Sequence, residues 1–313
     1  MSPLILGTRG SDLALTQARM VEALLTEAHP DLVCETRIIK TIGDKRPDLK
    51  LTEFSTEQIV DKGIFTKELE IALAAGEIHL AVHSLKDVPT ALEDQFTIAT
   101  VLEREDTRDV LLTKKPYSKI TELPQGARLA TSSVRRRAQL QWQRPDLQVE
   151  EIRGNVPTRM SKLLKDEGMD GILLALAGIK RLGYLAEDAA SLEWEGQTIH
   201  VTRLGAPDFL AACGQGAIAL ETRADDATTR DALAAINHAD TFTRVTAERM
   251  ILDRLQAGCH TPVGVDTLIE GDQLGIHLRV FNEDRLSDPP RESRVSGSWN
   301  DLGALIDQLM LTL

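Results

Sequence analysis

Residues 128–143, RLATSSVRRRAQLQWQ, place a short strand, a serine turn and an arginine-rich helix in immediate succession. Arg128–Thr131 has the pattern of a short strand. Ser132 and Ser133 make a turn, and Ser133–Gln143 continues as a helix loaded with arginine at its start. The same plan recurs on both sides. Pro3–Thr8 is a strand that passes through Thr8-Arg9-Gly10-Ser11 into a helix over Ser11–Ala28, with Ser11 as N-cap. Gln148–Ile152 passes through Arg153-Gly154-Asn155 into a helix over Asn155–Glu167, with Asn155 as N-cap. Strand–turn–helix units in series predict an α/β fold. In such sheets these turns gather at the carboxyl edge, where ligands bind. A helix N-terminus is already positive, so arginines placed there are unfavourable without an anion beside them. Three such turns point to one polyanionic site, and the planar fork of arginine selects carboxylate or phosphate.

Working outward, Asp31–Thr41, Ile78–His83 and Phe96–Leu102 read as strands and Phe65–Ala75 as a helix. Residues 42–62 are polar and form a loop long enough to act as a lid. A second unit begins near Arg108. It adds strands at Val110–Thr113 and Gly171–Leu176 and a helix at Ala177–Leu182; residues 184–207 read as irregular and Gly216–Thr222 as one more strand. The last part differs in order. Helices over Ala227–Ile236 and Thr241–Gln256 precede strands at Val263–Glu270, Gln273–Phe281 and Arg291–Ser298, and Asn300–Leu313 closes as a helix, which predicts a separate α+β domain.

A chain of 313 residues exceeds one compact core, so two or three domains are expected. A net charge of −12 and an aromatic content of 4% argue against a nucleic-acid partner. The longest apolar run, around Gly171–Ile179, is too short to span a bilayer, so no membrane partner is expected. The N-terminus lacks the pattern of a signal peptide, and three scattered cysteines, Cys34, Cys213 and Cys259, make a poor disulfide framework; both fit a cytoplasmic protein. Against the acidic background stand Arg135, Arg136, Arg137, Arg153, Arg159, Lys180 and Arg181. A local basic cluster in an acidic chain suggests a small anionic ligand, the alternative being a solvated charge run. The phosphate-cradling Gly-x4-Gly-Lys-Ser/Thr loop is absent, and Gly214-Gln215-Gly216 is too short for a dinucleotide fingerprint.

Two further stretches carry chemistry. In Ala81-Val82-His83-Ser84-Leu85-Lys86-Asp87-Val88-Pro89 a strand runs into a turn that presents Lys86 and Asp87 side by side. That is either an exposed ion pair or a carboxylate held in a cationic site, able to move protons and stabilise a developing cation. His79 and His83 would be separated by roughly 13 Å along a strand, too far to share a metal, and no metal site is expected. Cys259 follows Gln256-Ala257-Gly258, with Gly258 read as a helix C-cap. A helix C-terminus disfavours thiolate, which weakens a cysteine-hydrolase reading and suits a thiol that reacts once with a strong electrophile. Cys34 reads as a core residue and Cys213 as packing.

These residues resemble a known family. Val82–Pro89, Thr131–Arg136, Arg153-Gly154-Asn155-Val156 and Gly258-Cys259 look like signatures of the porphobilinogen deaminase (hydroxymethylbilane synthase) family. Lys62–Glu70, Glu103–Asp106, Leu176–Gly183, Gly214–Ala217 and Arg244–Arg249 continue the resemblance in collinear order over about residues 5–265. It implies two doubly wound, periplasmic-binding-protein-like domains flanking a cleft, plus a smaller C-terminal α+β domain. The implied boundaries are 1–104 with 216–236, then 105–215, then 237–313, the last carrying the cofactor cysteine. It implies a monomeric cytoplasmic transferase of tetrapyrrole (haem) biosynthesis, which condenses four porphobilinogen molecules with loss of ammonia and releases hydroxymethylbilane. A dipyrromethane cofactor would be attached through a thioether to Cys259. Asp87 would be catalytic. Lys86, Asp87, Ser84, Ser132, Ser133, Arg135, Arg136, Arg153 and Gln215 would bind the cofactor. Arg9, Ser11, Phe65, Arg153, Arg159 and Arg181 would bind substrate, and Lys62 would belong to the lid. Each porphobilinogen carries an acetate and a propionate, which accounts for the arginines. A simple carboxylate-binding protein is the rival reading, but it needs neither Asp87 nor Cys259. The chain departs from the family pattern at Asp12, at Gln58, at Asp61-Lys62-Gly63 and at Pro157, and 184–207 is longer than usual.

Overall fold

The computed structural model describes residues 3–41, 65–258 and 261–313. The expected lid with Gln58 and Lys62, and Cys259 itself, lie outside the described residues. In chain order the elements are β1 (Leu4–Thr8), α1 (Asp12–Ala28), β2 (Cys34–Ile38), α2 (Lys67–Ala74), β3 (Leu80–Ser84), β4 (Phe96–Val101), β5 (Asp109–Thr113), β6 (Arg128–Ala130), α3 (Val134–Gln143), β7 (Gln148–Glu150), α4 (Val156–Lys165), β8 (Gly171–Ala175) and α5 (Leu176–Arg181). There follow β9 (Ser191–Trp194), β10 (Gln197–Leu204), β11 (Ile218–Arg223), α6 (Ala227–Ala234), α7 (Ala239–Arg254), β12 (Val263–Glu270), β13 (Gln273–Val280), β14 (Arg291–Ser298) and α8 (Leu302–Thr312).

These elements form two compact units, Met1–Glu105 with Gly216–Asp253 and Asp106–Gln215 with Arg254–Leu313. The first holds a five-stranded sheet in the order β2-β1-β3-β11-β4, with β1 parallel to β2 and β3 and with β11 antiparallel to β3 and β4. The physical cause is legible in α1. Ser11 caps it, accepting a hydrogen bond from the Ala14 N–H, and Ala14, Gln17, Ala18, Val21 and Leu25 recur at helical spacing to form its buried face. Leu80, Val82, Ile218 and Leu220 complete the core beneath it. On the sheet's far side Arg104 and Glu248 pair through two contacts of 2.6 and 3.0 Å, both side chains almost wholly buried. Breaking a buried pair strands a charge. Glu248→Gln is expected to cost about 3 kcal/mol of stability, read as a lower midpoint in denaturant unfolding.

The second unit holds a six-stranded sheet, β7-β6-β8-β5-β10-β9, and an antiparallel sheet, β12-β13-β14. β6 runs parallel to β7 and β8, while β5 is antiparallel to β8 and β10. Helix α8 packs on β14. The small sheet joins the rest of its unit through a bridge between Ala211 and Val265 and through Arg279, which stacks 4.8 Å over Trp142.

Three expectations are corrected. Residues 184–207 are not irregular: β9 and β10 form a hairpin closed by Glu195 and Gly196, both at positive φ (49° and 75°). That is the backbone a tight two-residue hairpin turn demands, written with Glu-Gly in place of the usual Asn-Gly. Cys34 is only partly buried, because β2 is an edge strand. The left-handed residue after α7 is Gln256, at φ 49°, and not Gly258. Pro157 sits in the first turn of α4, where its missing N–H costs nothing.

Candidate active site

In the first unit the carboxyl ends of the parallel strands β1 and β3 share one sheet edge. After β1 come Arg9 and Ser11; the Arg9 guanidinium lies 4.1 Å from the centroid of the Phe65 ring. After β3 comes a single 3₁₀ turn, Leu85–Asp87. Leu85 is buried and its N–H donates to the Ala217 carbonyl, while Lys86 and Asp87 are exposed. Anchoring Leu85 therefore fixes its two charged neighbours at the edge. Gln17, buried on α1, exchanges hydrogen bonds of 2.8 and 3.2 Å with the Ser84 hydroxyl and so ties α1 to the end of β3. From α7, Arg249 donates to the carbonyls of Pro89 and Thr90 and closes the turn from behind.

In the second unit β6, β7 and β8 end at a common edge and lead into α3, α4 and α5. Ser133 caps α3 by accepting the Arg136 N–H, and Asn155 caps α4 by accepting the Thr158 N–H. The Ser132 hydroxyl donates to the Ile152 carbonyl at 2.6 Å and stitches the two turns together. Gly154 stands at φ 117°, where a Cβ would fall 2.6 Å from Thr158 Cγ2, so the turn between Arg153 and Asn155 calls for glycine. Arg159 Nε donates back to the Gly154 carbonyl at 2.7 Å. Arg181 ends α5.

The arginines of α3 have an anion that the sequence did not disclose. Asp109, at the start of β5, is fully buried. Its Oδ2 accepts from Arg135 Nη1 at 2.7 Å, and its Oδ1 accepts from Arg136 Nε and Nη2 at 3.0 and 2.7 Å and from Gln215 Nε2 at 2.9 Å. Because β5 is antiparallel to β8, its first residue lands opposite Ala175, at the carboxyl edge of β8. Burial pushes the Asp109 pKa up, but the charges and hydrogen bonds of Arg135 and Arg136 outweigh it and hold the carboxyl far below the usual range. A depressed carboxylate pKa contributes stability that is present above the unfolded value and lost as pH falls through the folded one. The contribution of Asp109 to stability is therefore expected to be constant above about pH 5 and to decline on acidification below about pH 4, so that acid destabilisation is shallower in Asp109→Asn, as measured by urea unfolding across pH.

One protein carboxylate against two guanidiniums leaves positive charge in place. Arg135 Nε is buried without a hydrogen-bond partner among the described residues, and so are Arg153 Nε and Nη2. Glu151 stands 3.8 Å from Arg153 Nη2, beyond hydrogen-bond reach. Buried donors left unsatisfied are costly unless a ligand accepts from them. His83 pairs instead with the buried Glu221, and His79 Nδ1 accepts the Ile5 N–H.

The chain matches the family model described as "Porphobilinogen deaminase, dipyromethane cofactor binding domain" over residues 4–231, and "Porphobilinogen deaminase, C-terminal domain" over residues 242–307. The chain belongs to the porphobilinogen deaminase family. It is 49% identical over 279 residues to the porphobilinogen deaminase of Syntrophomonas wolfei, covering 89% of this chain and 84% of that protein. It is 42% identical over 300 residues to the porphobilinogen deaminase of Trichlorobacter lovleyi, covering 95% and 88%. Among solved structures, a YaeC-family lipoprotein of Enterococcus faecalis aligns with a TM-score of 0.43 at 11% identity, covering 82% of this chain and 98% of that one; the family assignment does not rest on it. Residues 4–231 thus contain the dipyrromethane cofactor-binding domain of the family. The open donors of Arg135 and Arg153 fit that group, which brings the carboxylates of two pyrrole units.

Proposed function

We propose that this chain catalyses the stepwise condensation of four porphobilinogen molecules, with loss of ammonia, and the hydrolytic release of hydroxymethylbilane. The observation that carries the reading is the set of inaccessible guanidinium donors on the buried Arg135 and the half-buried Arg153, which lack acceptors among the described residues at the arginine-loaded edge of a cofactor-binding domain. Dipyrromethane, joined by a thioether to Cys259, would supply the free α-carbon to which the incoming pyrrole is joined. Lys86, Asp87, Arg135, Arg136, Arg153, Ser133 and Gln215 hold its carboxylates and pyrrole nitrogens, and Ser84 and Ser132 order the turns that present them. Arg9, Ser11, Phe65, Arg153, Arg159 and Arg181 receive the acetate and propionate of the substrate.

Asp87 is the chemical centre of this reading. As the aminomethyl C–N bond of porphobilinogen breaks, ammonia departs and positive charge grows on the pyrrole nitrogen. A carboxylate fixed at that nitrogen stabilises the charge and can hold or return its proton. Leu85 and Arg249 act one step back by holding the turn that presents Asp87. On this reading the enzyme is a cytoplasmic monomer whose cofactor cysteine belongs to a third domain, residues 237–313. Incubating the purified protein with porphobilinogen and measuring ammonia and hydroxymethylbilane tests the reading. Four ammonia molecules per tetrapyrrole are expected; no tetrapyrrole from folded, cofactor-bearing protein would overturn it.

A further inference from the structure

We propose that Asp109 is a positioning residue for the condensation, setting the orientation and residual charge of the Arg135–Arg136 pair that meets the ligand; this rests on the function proposed above. Four observations converge. Asp109 has 1% exposure, and its carboxylate accepts four hydrogen bonds from three side chains. Those side chains come from separate parts of the unit, the start of α3 and the segment just before β11, so one carboxylate sets the geometry of both. It engages Arg136 through Nε and Nη2, while Arg136 Nη1 donates to the Leu173 carbonyl at 3.1 Å, which fixes the plane of that guanidinium. It engages Arg135 through Nη1 alone, so Arg135 Nε keeps its hydrogen for another acceptor.

Charge then decides what that acceptor is. Two guanidiniums and one carboxylate leave one positive charge in a water-poor setting, which matches a single ligand carboxylate. Without Asp109 the two guanidiniums would repel and turn apart. With a second internal acid there would be no charge left for the ligand. The acid is placed to offset part of the arginine charge, and the remainder selects a carboxylate-bearing pyrrole.

The test uses Asp109→Asn, which keeps the shape and removes the charge, together with Asp109→Asn/Gln215→Glu, which returns a carboxylate from the neighbouring side chain. The readouts are the fraction of protein bearing dipyrromethane by intact mass, and KM and kcat for porphobilinogen. Asp109→Asn is expected to lose about 100-fold in kcat/KM, as for a small misplacement of binding groups, with less cofactor loaded. The double variant is expected to recover at least about tenfold of that. Folded Asp109→Asn with wild-type loading and kcat/KM overturns the proposal, and so does a folded double variant with no recovery. If Asp109→Asn does not fold, Asp109→Glu replaces it: a raised KM with kcat retained supports the proposal, and an unchanged KM overturns it. Wild-type protein that never carries dipyrromethane would instead defeat the function on which the proposal rests.

Discussion

Asp87→Ala is expected to lower kcat by about 1000-fold while the protein stays folded and its KM changes little. The fold should survive because the side chain is exposed and the turn is held by its neighbours. Leu85 is buried and bonded to Ala217, and Arg249 clamps Pro89 and Thr90. The loss should fall on kcat because a fixed negative charge matters most where positive charge develops, in deamination, and less in binding a substrate that is itself anionic. Steady-state formation of hydroxymethylbilane, set beside the unfolding midpoint, separates the two effects. Near-normal turnover would remove Asp87 from the chemistry.

Cys259→Ala is expected to give a protein with no covalent pyrrole and no measurable condensation. It should also unfold at a lower temperature than wild type, because the covalent group's carboxylates meet the buried arginine donors only in the folded state. The buried donors of Arg135 and Arg153 would lose their acceptors at the same time. In sequence Cys259 comes after a helix whose last residue is Arg254 and after a left-handed Gln256. That end of a helix does not favour thiolate, which argues for an anchor formed once over a nucleophile used in each turnover. A Cys259→Ala protein that retains wild-type activity would contradict the anchor.

Much of the scaffold was legible because its signals are local. Ser11 and Asn155 announce helix starts by chemistry that acts over three residues, and both cap as expected. The strands expected at Val263–Glu270 and Arg291–Ser298 match to the residue. The β9–β10 hairpin escaped because Glu195 takes a left-handed backbone that its side chain does not advertise. The site was legible only in part. Arginines at the start of α3 called for an anion, and the sequence could not tell a ligand from Asp109, which lies 26 and 27 residues away and meets them only through the antiparallel course of β5. An acid opening the apolar run Asp109–Thr113 was the available sign. Gln17 and Arg249, which hold the Asp87 turn from α1 and α7, gave no local sign, since each acts over a long sequence separation.

The intact mass of the purified wild-type protein tests the central claim most directly. A covalent increment of two linked pyrrole units that maps to Cys259 in a peptide digest is expected, with the colour an aldehyde reagent gives with pyrroles. A folded preparation made with porphobilinogen supplied, bearing an unmodified Cys259, would contradict it.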